Sequence, residues 1–174
     1  AEACRGRVSG MTHLVRLSLI LILAVHATGC KTISPPTVKI DSVEVVGESD
    51  DASSLLFHGT VENPHQSTLR LLEFTYGVSM EGRSVYQGRH AAEMTLTPGA
   101  TRRITLPAGF TNAAAGLSPG STPDASRWSM SGSLLFLGDS VLADTLLEMG
   151  LRPTIGFSAS GDLQWPAVGT ADAR

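Results

Sequence analysis

The sequence predicts a mainly β protein, built as one antiparallel β-sandwich domain with one short helix. Short runs in which apolar and polar residues alternate recur between residues 37 and 166, and Gly, Pro, Asn and Asp separate them. The composition agrees, because 18 Gly, 9 Pro and 17% charged residues favour a turn-rich sheet protein over a helical bundle. A length of 174 residues suits one such domain together with a targeting segment.

Two strands open the predicted domain. Their apolar positions are Val38, Ile40, Val43 and Val45 in the first strand, and Leu55, Phe57, Gly59 and Val61 in the second. The alternation slips phase between Ile40 and Val43, which predicts a β-bulge there. Asn63-Pro64 ends the second strand, because Pro cannot donate a hydrogen bond to a strand ladder.

The third strand has the clearest alternation in the chain. Its apolar positions are Leu72, Phe74, Tyr76, Val78 and Met80. Glu81-Gly82 predicts a tight turn into a strand over residues 83–90. A further strand over residues 101–106 places Ile104 and Leu106 inward, and residues 107–126 predict an irregular connection.

Another alternating run follows this connection and predicts a strand. Its apolar face comprises Trp128, Met130, Gly132, Leu134 and Phe136. Residues 140–149 then change to helical spacing, at Leu142, Leu146 and Met149. Asp139 or Ser140 can act as the N-cap, and Gly150 can adopt the left-handed conformation that ends a helix. We therefore predict a short helix.

The last predicted strand begins at Thr154 and leads through Gly161 to Leu163 and Trp165. We interpret Trp165 as part of the core, with a surface anchor as the alternative. Residues 167–174 predict a frayed tail.

The residues before the domain have the order of a secretory signal. We interpret residues 1–10 as an upstream or added segment, because Met11 begins a signal-like sequence. In residues 11–29 a short basic start precedes an apolar core and then small residues. This core has roughly half of the about 20 apolar residues that a bilayer-spanning helix needs.

Cys30 follows these small residues and is the predicted lipid attachment point. Ala27-Thr28-Gly29-Cys30 resembles the lipobox of bacterial lipoproteins, which implies cleavage between Gly29 and Cys30 and diacylglycerol on the thiol. An ordinary signal peptide whose cleavage leaves a cysteine is the alternative. Residues 30–36 form a short tether, and Lys31 after the cysteine implies sorting to the outer membrane, facing the periplasm.

Within the domain, a set of features recurs in an order that resembles a known family. The features are Asn63-Pro64 after a strand, Tyr76-Gly77-Val78, Gly82 in a turn, Gly88 in the next strand, and Gly132 in a later one. They resemble the water stress and hypersensitive response (WHy) domain of group 2 late embryogenesis abundant proteins. The resemblance covers most of residues 37–166. It implies an immunoglobulin- or fibronectin-like sandwich, a part in tolerating drying or envelope stress, and no catalytic residues.

The sequence gives little sign of a catalytic or metal-binding cluster. His58, His65 and His90 lie outside any nucleophile elbow, and none forms a metal-binding pair with another. Glu48-Ser49-Asp50-Asp51 is interpreted as a solvated turn, with weak calcium binding as the alternative. We therefore predict that the protein is not an enzyme and has no metal and no cofactor, apart from the acyl chains on Cys30.

The charge balance restricts the partners of the domain. The chain after residue 29 has 10 basic and 15 acidic residues without a basic stripe, which argues against nucleic acid. We expect a monomer that contacts the membrane through its lipid, and contacts envelope proteins or stressed client proteins. The alternative is an accessory subunit of an envelope assembly or transport complex that binds partners through a sheet edge.

Overall fold

The computed structural model describes residues 34–118, 125–138 and 141–166. Seven strands and two helices occupy most of these residues. The strands are β1 (Thr37–Glu48), β2 (Ala52–Glu62), β3 (Leu69–Met80), β4 (Arg83–Leu96), β5 (Thr101–Thr111), β6 (Ala125–Gly138) and β7 (Thr154–Gln164), and the helices are α1 (Asn112–Ala115) and α2 (Val141–Glu148). The predicted residues 1–10, the signal 11–29, Cys30 and the tail 167–174 lie outside the described residues. Pro36, assigned to the tether by the sequence, is buried.

The strands form two antiparallel sheets. Sheet A has the order β1-β2-β5 and sheet B has the order β4-β3-β6-β7. The fourth strand joins the third strand rather than the first sheet, which is the fibronectin type III arrangement of the immunoglobulin-like sandwich. The predicted fold class is therefore confirmed.

The core fills the space between the sheets. Alternate residues of β2, β5 and β6 point inward, and their apolar side chains are excluded from water. Phe57 of sheet A and Trp128 of sheet B meet edge to face, with ring centroids 5.2 Å apart. Trp165 is also buried, and its Nε1–H donates to the Ser126 hydroxyl at 3.0 Å. Trp165 therefore belongs to the core.

Several boundaries differ from the prediction. The register skips Leu72 between Leu71 and Glu73, so this bulge shifts the phase and buries Leu71 instead of Leu72. β5 continues to Thr111 and buries Ala108 and Phe110, although residues 107–126 were predicted as irregular. Pro107 is compatible with β5 because β5 lies at a sheet edge.

The predicted β1 bulge, the fourth strand and the helix are all present, although the ends of the strand and the helix differ from the prediction. The bulge of β1 lies between Ile40 and Ser42, where the sequence pattern slips. β4 extends beyond the predicted residue 90 and ends at Leu96. The helix prediction is confirmed by α2, followed by Gly150 with a left-handed φ of 84°. Met149, which the spacing grouped with this helix, lies beyond its end and is exposed.

The sandwich has two ends that differ in their loops. The N-terminal end comprises the start of β1, the β2–β3 and β4–β5 loops, and the described part of the β6–β7 connection. The far end comprises the β1–β2 and β3–β4 turns, α1 and the end of β7. Within the described residues, no helix is long and apolar enough to cross a bilayer.

Candidate functional site: the hydroxyl face of sheet B

Asn63, the first of the family-motif residues, is a fully buried polar side chain at the N-terminal end. Its Nδ2 donates to the carbonyl oxygens of Ser67, Leu96 and Thr97 at 2.9, 3.0 and 3.1 Å. Its Oδ1 accepts from the backbone N–H of His65 at 3.0 Å. This last bond confirms the predicted Asn turn, in which exposed Pro64 occupies the corner. The Asn63 side chain therefore links the β2–β3 loop to the β4–β5 loop, and both of its polar atoms are used in hydrogen bonds within the protein.

Tyr76 connects the two sheets. Its ring is buried in β3 and packs on Tyr86, with centroids 5.5 Å apart. Its hydroxyl donates to the carbonyl oxygen of Pro107 in β5 at 2.5 Å. Burial first, and then the hydrogen bond and charge interaction with Tyr86, raise the pKa of Tyr76 well above the ordinary tyrosine value.

We predict that Tyr76→Phe lowers the free energy of unfolding by about 1 kcal/mol at pH 7, because the bond between the sheets is lost. The deficit should shrink above about pH 10, by at most roughly 1.4 kcal/mol per pH unit, because the unfolded wild-type tyrosine ionises there while the folded one stays protonated. Urea unfolding of both proteins at pH 7, 9 and 11 measures this. A deficit that stays constant with pH would contradict the assignment.

Three motif glycines hold the backbone in close or unusual geometry. Glu81 and Gly82 have φ of 48° and 78°, which are the positive values of a type I′ hairpin turn. A Cβ on Gly88 would lie 2.2 Å from the Tyr86 hydroxyl oxygen, so a side chain at this position would require the Tyr86 ring to move. A Cβ on Gly132 would lie 2.5 Å from the Thr75 carbonyl oxygen and 2.8 Å from Cζ of Phe157. These residues are structural, as the sequence analysis interpreted them.

The outer face of sheet B carries a regular array of hydroxyl groups. The cross-strand pairing aligns Ser79, Ser129 and Ser160 in one row. The next row is formed by Gly77 with Ser131 and Ser158, and the third by Thr75 with Ser133 and Gly156. Exposed Arg89 of β4 pairs with Thr75 and borders the third row. We call this surface the hydroxyl face. Its members are Thr75, Ser79, Ser84, Ser129, Ser131, Ser133, Ser158 and Ser160.

The hydroxyl face lines an open depression of about 880 Å³. Its small side chains leave room, and Gln87 contributes an amide to the lining. The lining has no carboxylate, imidazole, ammonium or guanidinium group, so the depression offers neutral hydrogen-bond donors and acceptors. Such a surface suits polar neutral groups or water, and the titratable groups of its lining are the hydroxyls of Tyr76 and Tyr86.

This face is not apparent from the sequence. Its signal was present, because Ser129, Ser131 and Ser133 occupy the outward phase of the strand that begins before Trp128. Ser158 and Ser160 do the same in the last strand. Single hydroxyl residues in strands carry little information until the pairing register is known.

The histidines lie away from the hydroxyl face. His58 Nε2 lies 3.3 Å from Glu44 Oε2 on the outer side of sheet A, in an exposed pair. His65 Nδ1 lies 2.5 Å from the Ser67 hydroxyl oxygen and also accepts the Ser67 backbone N–H at 3.0 Å. A hydroxyl–imidazole pair needs an orienting carboxylate to resemble a hydrolase, and no described carboxylate contacts His65.

The acidic turn at the far end is held by protein groups. The Ser49 backbone N–H donates to the Ala52 carbonyl oxygen at 2.8 Å. Asn112 Nδ2 donates to the carbonyl oxygens of Ser49 and Asp50 at 3.0 and 3.2 Å. Over residues 34–118, 125–138 and 141–166, no cluster of three His, Cys, Asp or Glu side chains forms a metal site. These hydrogen bonds within the protein account for the conformation of residues 48–51, in agreement with the turn interpretation.

Comparison with known proteins supports the fold. A solution structure of a protein assigned to the late embryogenesis abundant class is similar, with a TM-score of 0.56, 15% identity, and 96% coverage of both chains. The solution structure of an Arabidopsis thaliana protein has a TM-score of 0.52 and 13% identity, covering 81% of this chain and 91% of that one. No protein-family profile matches the chain, and no curated protein sequence matches it significantly. The chain therefore has a late embryogenesis abundant-like β-sandwich fold.

Proposed function

We propose that this protein is a non-catalytic, stress-protective lipoprotein, which Cys30 holds at the periplasmic face of the outer membrane. The observation that carries the proposal is the hydroxyl face, an uncharged and hydrogen-bonding surface on a self-contained sandwich. The proposed action is to make hydrogen bonds with headgroups or with partly unfolded client proteins when water is withdrawn.

Neutral hydroxyl groups suit this action. Each hydroxyl both donates and accepts a hydrogen bond, so it replaces water on many kinds of polar surface. Burying a charged group costs far more than burying a hydroxyl, so a charged face would resist losing its water. The similar fold of the protein assigned to the late embryogenesis abundant class is consistent with a role in water stress.

The lipid anchor would place this surface next to the envelope. Few residues separate Cys30 from Thr37, where β1 begins. Two or more acyl chains hold a protein firmly at a bilayer, whereas one chain holds it weakly. A diacylglycerol on the thiol and a further acyl chain on the new N-terminus would satisfy this requirement.

Survival after drying tests the role of the hydroxyl face. We expect a deletion strain to lose at least about ten-fold in survival, because each client or headgroup loses its replacement hydrogen bonds. Ser131→Glu should behave like the deletion, since it puts a charge in the middle of the face. Thr105→Glu is the matched control on the outer side of sheet A and should restore survival. Equal survival of all four strains would refute the proposal.

Cys30→Ser tests the anchor. We expect the wild-type protein to start at Cys30, to carry the added mass of its acyl chains, and to fractionate with the outer membrane. The serine variant should lack this mass and leave that fraction, because a hydroxyl does not replace the acylated thiol. Intact-mass spectrometry with membrane fractionation measures both, and Ser34→Ala, which keeps the cysteine, is the control. Unchanged mass and fractionation in the serine variant would contradict the anchor.

A further inference from the structure

Two large apolar side chains are exposed at the N-terminal end of the sandwich. Met149 is 72% exposed and Leu151 is 54% exposed, and both lie in the short segment between α2 and β7. In the described part of the chain, the other large exposed apolar side chain is Val46, at 49%, and it lies at the far end. Most large apolar side chains of the domain are buried, so this pair requires an explanation.

The chain enters the domain at the same end. Thr37 pairs with Glu62 at the end of β2, and β1 lies beside β7 across the edges of the two sheets. β7 begins at Thr154, three residues after Leu151. Because Pro36 is buried, a fully extended tether from residue 30 to residue 35 reaches about 17 Å. An acylated Cys30 therefore brings the N-terminal end, with Met149 and Leu151, to the bilayer.

Exposed charges of both signs lie at the N-terminal end. Arg152 is exposed beside Leu151, and Arg102 and Arg103 are exposed at the start of β5, also at the N-terminal end. Glu62 and Glu148 are exposed at this end too, so the two ends do not differ simply in the sign of their charge. Arginine pairs with lipid phosphates, whereas carboxylates are repelled by them. The apolar pair beside arginine has the composition of a segment that enters the interface.

We propose that Met149 and Leu151 insert into the boundary between headgroups and acyl chains of a phospholipid bilayer, as a second attachment point beside the lipid on Cys30. This inference rests on the proposed anchor. A surface salt bridge between Arg70 and Asp144, at 2.8 Å, joins α2 to β3, so the inserted segment is linked to sheet B. One end of each sheet then faces the lipid, and the hydroxyl face stands at an angle to the membrane surface.

Site-directed labelling tests this insertion. The lipoprotein with Met149→Cys carries an environment-sensitive fluorophore in phosphatidylethanolamine–phosphatidylglycerol vesicles, and lipids brominated near the acyl carbonyls quench it. The matched control is Val46→Cys, which labels an exposed apolar position at the far end. We expect quenching at residue 149 to be at least about three-fold greater than at residue 46, as only the former contacts acyl chains.

The outcomes separate this inference from the anchor. Equal quenching at both positions, in protein whose Cys30 is acylated by intact mass, overturns the insertion and leaves the anchor standing. Protein with unmodified Cys30 and no quenching at residue 149 overturns both proposals. Where Cys30 is unmodified, the measurement is repeated with Cys4→Ser and Cys30→Ser, which leave residue 149 as the labelled thiol. Quenching there supports the insertion and overturns the anchor.

Discussion

Replacing Asn63 with Ala should destabilise the domain by about 4 kcal/mol. The side chain is fully buried and makes four hydrogen bonds to backbone groups of two loops. Its loss leaves those three carbonyl groups and one N–H without their partner, and each unpaired buried group costs about 1–3 kcal/mol. This is a large part of the about 5–15 kcal/mol that stabilises a typical domain. Urea unfolding of the purified full chain, monitored by tryptophan fluorescence, measures the change.

The control for Asn63 is in the same loop. Gln66 is exposed, so Gln66→Ala should change the free energy of unfolding by less than about 0.5 kcal/mol. An Asn63→Ala variant as stable as Gln66→Ala would show that the loops do not depend on the amide. Asn63→Asp should also be destabilising, because a carboxylate cannot donate to the three carbonyl groups.

Replacing Gly132 with Ala should cost about 3 kcal/mol. The added Cβ would lie 2.5 Å from the Thr75 carbonyl oxygen, 2.7 Å from Cβ of Tyr76 and 2.8 Å from Cζ of Phe157. The first contact is with backbone, so β3 and β6 would have to separate in the middle of sheet B. Overpacking of this kind costs about 1–3 kcal/mol and sometimes more. Urea unfolding of the variant measures this loss.

Gly156 offers the matched control in the adjacent strand. It pairs with Ser133, and the nearest atom to its added Cβ would be the Gly132 carbonyl oxygen at an ordinary 3.8 Å. Gly156→Ala should be neutral or slightly stabilising, because alanine loses less backbone entropy on folding. If both alanine variants had the same stability, close approach at Gly132 would not explain its glycine.

The sequence predicts the fold well where polar contrast between the strand faces is strong. Phe57 and Val61 alternate with His58, Thr60 and Glu62, and the structure buries both apolar side chains. Leu72 is the counterexample, since Leu71 beside it is equally apolar and the bulge that selects between them depends on the partner strands. The end of β5 was missed because Pro, Ala and Gly give no contrast, although the register with β2 continues to Thr111.

The hydroxyl face was harder to predict than the fold. Serines spaced two apart are common in strands, and their meaning depends on which strands are neighbours. β6 and β7 pair directly, which aligns Ser131 with Ser158 and Ser129 with Ser160. Asn63 illustrates the opposite case, because its local turn was predictable. Its bonds to Leu96 and Thr97 join residues more than 30 positions apart and were not.

The direction of β7 has a practical consequence. This strand starts at the N-terminal end and finishes at Gln164, so the chain leaves the sandwich at the far end. A strand of 11 residues is about 36 Å long. A reporter or affinity tag joined after Pro166 would accordingly stand off from Thr37, at the start of β1, by about that length. Such a fusion should be reachable by antibodies and should leave the N-terminal end of the sandwich undisturbed.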